Sequence, residues 1–135
     1  MKLNLTKNES NTLFRIMSSE LHYCINEWDP DAGHCPSKKR IKESQYAESI
    51  MDKWQNTQLA IAGTTFIDLD KISACIINLS DKEVTYSLDL LDKSIRECQK
   101  TLAECPSPNS GIATTINRII TDATHICTKL NPINP

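Results

Sequence analysis

Glycine is scarce in this chain, three in 135 residues, and the scarcity excludes several chemistries at once. There is no glycine-rich loop to cradle a phosphate and no Gly-x-Ser-x-Gly elbow to present a serine nucleophile. An excess of one charge is missing too. Formal net charge is −2, so no global field draws the chain toward nucleic acid or anionic lipid. Long hydrophobic runs are absent: nothing approaches a membrane span, and Met1-Lys2-Leu3-Asn4-Leu5-Thr6 lacks the apolar run of a signal peptide. These absences predict a cytoplasmic protein with no membrane association. No internal repeat and no low-complexity tract stands out.

Six cysteines are present: Cys24, Cys35, Cys75, Cys98, Cys105 and Cys127. An even count suggests disulfides in a secreted chain, but here the leader is missing and four of the six fall on apolar helix faces. Reduced thiols acting as small hydrophobes are the expectation. The six prolines sit between periodic stretches or at the end of the chain, which is where a helical protein places its breakers.

What is present is periodicity. Val84, Leu88, Leu91, Ile95, Cys98, Leu102 and Cys105 alternate spacings of four and three, which lines one face of a long helix. Ser80-Asp81-Lys82-Glu83 opens it as a capping box. A first helix begins at Thr6-Lys7-Asn8-Glu9, another capping box, and carries Leu13, Met17, Leu21, Cys24 and Trp28 on its face. A second runs from Ser37 through Ile41, Ala47, Ile50, Met51 and Trp54, with Ile61 a further candidate for its face, Gly63 as its stop and a weak stretch at Gln55-Asn56-Thr57-Gln58. A short helix is assigned to residues 65–79, with Phe66, Leu69, Ile72, Ile76 and Leu79 as its face; a strand competes there because β-formers are frequent. The last helix carries Ile112, Ile116, Ile119, Ile120, Ala123, Cys127 and Leu130. The predicted fold is therefore all-α, a single domain over 1–135: an antiparallel helical bundle of four long helices plus one short helix.

Candidate chemistry is thin. The three histidines lie beside cysteines, but residues two apart on a helix point in nearly opposite directions, so neither His22/Cys24 nor His125/Cys127 can chelate as a pair. Asp29-x-Asp31-x-Gly33 opens like a calcium loop, yet position twelve is Arg40 rather than a bidentate glutamate. No metal and no cofactor is expected. Lys38, Lys39, Arg40 and Lys42 form the one basic cluster, able to grip a phosphate backbone or an acidic protein patch, though no aromatic stacking pattern accompanies it. Trp28 and Trp54, at helix ends, are placed where a partner could use them, and a place in the core is the competing and favoured reading for both.

Arg118 and His125 are seven residues apart on the last helix and so lie nearly on one face. The pair resembles the Arg-x4–6-His motif of the HEPN family. The resemblance implies a dimerising helical bundle that cuts RNA without a metal, with Arg118 and His125 acting on the scissile phosphate. The leading expectation is different: a non-catalytic protein-binding module, such as an inhibitor, adaptor or regulator, that acts through a bundle face and has a protein partner. The HEPN-like ribonuclease is the alternative, and a nucleic-acid binder using Lys38, Lys39, Arg40 and Lys42 is the second. Self-association into a homo-oligomer is a natural companion, because the seam from Val84 to Cys105 needs a matching surface. Frequent Ile, Asn and Lys suggest an AT-rich genome and a phage- or mobile-element-encoded accessory protein.

Overall fold

The computed structural model describes residues 1–26, 38–104 and 110–131. In chain order its elements are strand β1 (Lys2–Leu5), helices α1 (Lys7–Asn26) and α2 (Lys38–Ala62), a single 3-10 turn (Leu69–Lys71), strand β2 (Cys75–Asn78), and helices α3 (Asp81–Ala103) and α4 (Gly111–Leu130). The chain is mostly helical, as expected, with a two-stranded antiparallel sheet added. Helix packs on helix in four pairs: α1 on α2, α3 on α4, α1 on α4 and α2 on α3.

The helix starts follow from their caps. Glu9 N–H donates to Thr6 Oγ1 at 3.2 Å, and Thr6 N–H donates to Glu9 Oε1 at 2.9 Å. The same reciprocal pair joins Ser80 and Glu83 at 3.2 and 2.8 Å, so each box satisfies two backbone donors that a helix start leaves orphaned. Ser110 caps α4 through Ala113 N–H. At the other end of α2, Gly63 takes a φ of 66° and its N–H closes on Leu59 O, a left-handed stop that glycine alone makes without strain.

Residues 65–79 do not form the short helix. Only Leu69–Lys71 turn; Cys75–Asn78 are a strand whose residues alternate buried and exposed. The strand wins because it has a partner, Lys2–Leu5, whose alternation matches: Leu3 and Leu5 point inward, Lys2 and Asn4 outward. On the expected helical face Ile72 and Leu79 are buried, whereas Phe66, Leu69 and Ile76 reach solvent. Helix α2 also runs unbroken through its weak stretch. Gln58 is buried there, and its amide both donates to Ser73 O (2.8 Å) and accepts from Ser73 N–H (2.9 Å). The seam of α3 is turned by about one residue from the predicted line: Glu83, Ser87, Leu90 and Leu91 are its buried positions, with Val84, Leu88 and Ile95 packed beside them.

Contrary to the expectation of no internal repeat, the structure brings out one. Asn4-Leu5-Thr6-x-x-Glu9 recurs as Asn78-Leu79-Ser80-x-x-Glu83, and Ala47, Ile50 and Lys53 recur as Ala123, Ile126 and Lys129. Each half is a strand, a capped helix and a second helix. In the sheet, Leu3 pairs with its own equivalent Ile77, as a two-fold relation between antiparallel strands requires. Each second helix also reaches the other half: Lys53 of the first half meets Glu83 of the second, and Lys129 of the second meets Glu9 of the first, both at 2.5 Å.

Beneath the sheet lies a single core. Leu3, Leu5, Leu13, Met17, Ile50, Trp54, Ile77, Leu91 and Ile126 are its fully buried large side chains, drawn from both halves. At about 25 cal/mol per Å² of buried apolar surface, each contributes on the order of 2 kcal/mol.

Candidate functional site

Among the described residues, the two seams between the halves hold four of the seven buried polar side chains: Glu9, Thr12, Glu83 and Asp122. Along the α2–α3 seam Glu83 accepts from Ser49 Oγ at 2.8 Å and from Lys53 Nζ. Burial opposes its ionisation. The lysine, the Ser80 N–H and the two serine hydroxyls outweigh that and hold its carboxyl down at about 2. Farther along, the rings of Tyr46 and Tyr86 meet at 5.8 Å.

The α1–α4 seam follows the same plan with other side chains. Glu9 takes the place of Glu83, and its pKa is likewise lowered: burial works against the charge, Lys129 and the Thr6 cap for it. Thr12 and Asp122 stand where Tyr86 and Tyr46 stand in the first seam. Thr12 Oγ1 donates to Asp122 Oδ2 at 2.9 Å, and both residues are buried.

Arg118 and His125 belong to this second seam, and both are exposed on α4. Their separation amounts to about 10 Å of helix rise, with buried Asp122 between them. By the repeat they correspond to Lys42 and Ser49 of α2, the latter the hydroxyl that serves Glu83.

The basic cluster does not act as one unit. Lys38, Lys39 and Lys42 are exposed, whereas Arg40 is folded down onto Glu20 of α1 at 2.9 Å and Glu43 at 3.2 Å. A groove of about 470 Å³ runs beside the lysines, between α2 and α3. Lys39, Lys42 and Lys82 line it, but so do Glu43, Asp81 and Asp89, so its charges balance and no anion-selective field results.

Trp54 lies in the core rather than on a face open to a partner. It is 1% exposed, stacks on Phe14 with ring centroids 4.8 Å apart, and donates its indole N–H to Ser10 Oγ at 2.7 Å. Trp28, His34, Cys35, Cys105 and the side chain of Cys24 lie outside the described residues. Cys75, Cys98 and Cys127 are free thiols. Burial raises the pKa of Cys98 and Cys127, with Glu97 and Asp92 respectively adding to it, which keeps both protonated and poorly nucleophilic at neutral pH. Among the described residues no three His, Cys, Asp or Glu side chains converge to hold a metal ion, and no helix is long and apolar enough to cross a membrane.

One surface was not anticipated. Where α2 ends and the chain crosses toward β2, Ile61, Phe66 and Leu69 stand 51%, 69% and 57% exposed. Ile61 and Phe66 line an open groove of about 370 Å³ with Gln58, Ile67 and Lys71. Sequence reasoning assigned Phe66 and Leu69 to a helix face and hence to the core. The available signal was the β-rich composition of the segment, which spoke against that helix.

Comparison with family models, with curated proteins and with solved structures finds no match for this chain.

Proposed function

We propose that this chain is a non-catalytic protein-binding module, an inhibitor, adaptor or regulator, and that its docking surface is the segment closing α2. The observation that carries the reading is the exposure of Ile61 and Phe66 on the lining of one groove, with Leu69 exposed three residues farther along the chain. Isolated apolar side chains on a surface need no explanation, whereas exposed large ones that share a cleft are a candidate interaction site. An aromatic anchor of this kind commonly dominates an interface. The scaffold beneath is read as an antiparallel bundle. In support, contacts run in opposite order along neighbouring helices: Ser10 with Trp54 and Glu20 with Arg40, Glu9 with Lys129 and Thr12 with Asp122.

The test is capture of a partner by wild type and by Phe66→Asp, with the captured protein identified by mass spectrometry and its affinity then measured with both purified forms. Loss of at least tenfold in affinity, with the melting temperature unchanged, supports the reading. Equal affinity of the two forms rejects this surface.

A second reading, the HEPN-like ribonuclease, keeps one supporting observation: Arg118 and His125 are both solvent-accessible on the same helix, flanking an acidic group. It requires metal-independent RNA cleavage that disappears in His125→Ala. Activity retained in that variant rejects it.

A further inference from the structure

We propose that the two halves of this chain are complementary modules that also pair between molecules, so that residues 1–62 of one copy pack against residues 75–131 of a second in an exchanged dimer. The occupant of each half's seam is then the other half of a second copy, and every contact it needs is already present within one chain. The sheet is made of one strand from each half. Lys53 and Ser49 serve Glu83 across the boundary, Lys129 serves Glu9, and Thr12 meets Asp122. Trp54 and Ile126 lie in one core with Leu3 and Ile77.

None of these contacts depends on the two halves sharing a backbone. Residues 63–74 are the backbone connection between them, and exchange leaves each contact chemically identical, which is what makes domain swapping a low-cost route to dimers. The connection does favour the closed monomer, because a short linker supplies an effective concentration on the order of millimolar. Exchange therefore forms when chains fold together at comparable concentration. It persists after dilution because separation must open both seams and the sheet.

The experiment uses the full chain in tagged and untagged forms, under reducing conditions so that no disulfide contributes. The two forms are refolded together from denaturant at about millimolar concentration, and separately refolded samples are mixed as the control. The expected result is a species of twice the monomer mass that carries both forms, appears only on co-refolding, and grows with protein concentration. Monomer alone overturns the proposal. So does a mixed dimer that forms equally from prefolded chains, since that would be a surface contact without exchange.

A charge-swapped pair gives an independent reading. Lys53→Glu places two carboxylates at the α2–α3 seam, and Glu83→Lys places two ammonium groups there. In an exchanged dimer of one variant with the other, each seam again joins opposite charges. Co-refolding the two should yield a heterodimer that melts above either variant alone. A co-refolded mixture that melts as the separate samples do overturns the exchange.

Discussion

Replacing Glu83 by Gln isolates the charge at the α2–α3 seam while keeping the shape of the side chain and an acceptor for the Ser80 N–H. Wild-type Glu83 is buried, with its carboxyl bonded to Lys53, Ser49 and the cap, and it titrates at about 2 instead of 4.5. At 1.36 kcal/mol per pKa unit the difference corresponds to about 3 kcal/mol of folding stability. The folded pKa is depressed, so this stability is fully present above the unfolded value and is lost as pH falls through the folded one. About 2 of the 3 kcal/mol should be gone by pH 3. The Gln variant should unfold about 2–3 kcal/mol more easily at pH 7, and its urea midpoint should fall by about 1–2 M for a slope near 1.5–2 kcal/mol/M. It should also lose most of the wild-type decline between pH 5 and pH 3, keeping the part that Glu9 contributes. Urea titrations followed by circular dichroism at pH 7, 5 and 3 measure both quantities. A variant within about 0.5 kcal/mol of wild type that declines with acid just as steeply would refute the reasoning.

Other substitutions read other contacts. Ser87 is 1% exposed and its hydroxyl has no hydrogen-bond partner among the described residues, so Ser87→Ala should leave stability unchanged or raise it by about 1 kcal/mol in thermal denaturation. Gln58→Ala strips both bonds from the Ser73 backbone and should cost about 2–3 kcal/mol by urea titration. Leu91→Glu buries a charge at a position with no exposure, and circular dichroism should report an unfolded chain. Lys39→Ala with Lys42→Ala should leave any RNA affinity unchanged, because Glu43, Asp81 and Asp89 already offset those cations; a steep loss in a filter-binding titration would revive the nucleic-acid reading.

How much of this was legible depended on the length over which a pattern repeats. The capping boxes at Thr6 and Ser80, the stop at Gly63 and the four long apolar stripes were readable, because a helix of twenty residues restates its face many times. Strands of four residues state theirs twice. Leu3 and Leu5 carry no strand signal until Ile77 and Cys75 lie opposite them. The placement of Trp54 turned on a single partner, Ser10, which sits more than forty residues away and offers the indole an acceptor. The repeat is faint in the sequence because the identities its halves share, such as Glu9/Glu83, Ala47/Ala123, Ile50/Ile126 and Lys53/Lys129, are scattered rather than consecutive. The α3 face is turned because Glu83 is buried, and that burial becomes tolerable only with Lys53 and Ser49 from α2.

Where the halves agree, the fold explains the residue; where they differ, something else must. Glu9 and Glu83, Lys53 and Lys129, Ala47 and Ala123, and Ile50 and Ile126 occupy equivalent places and close equivalent contacts. The spacing of Arg118 and His125 is likewise that of Lys42 and Ser49, so a helix lying along this seam already accounts for two side chains seven residues apart. The segment from Ile61 to Leu69 is different. It joins the halves, and Phe66 and Leu69 lie outside the core, so burial does not require either to be apolar. A polar linker would connect α2 to β2 equally well and would remove apolar area from water. Phe66 and Leu69 stand exposed there, and a partner that covers them would supply an explanation.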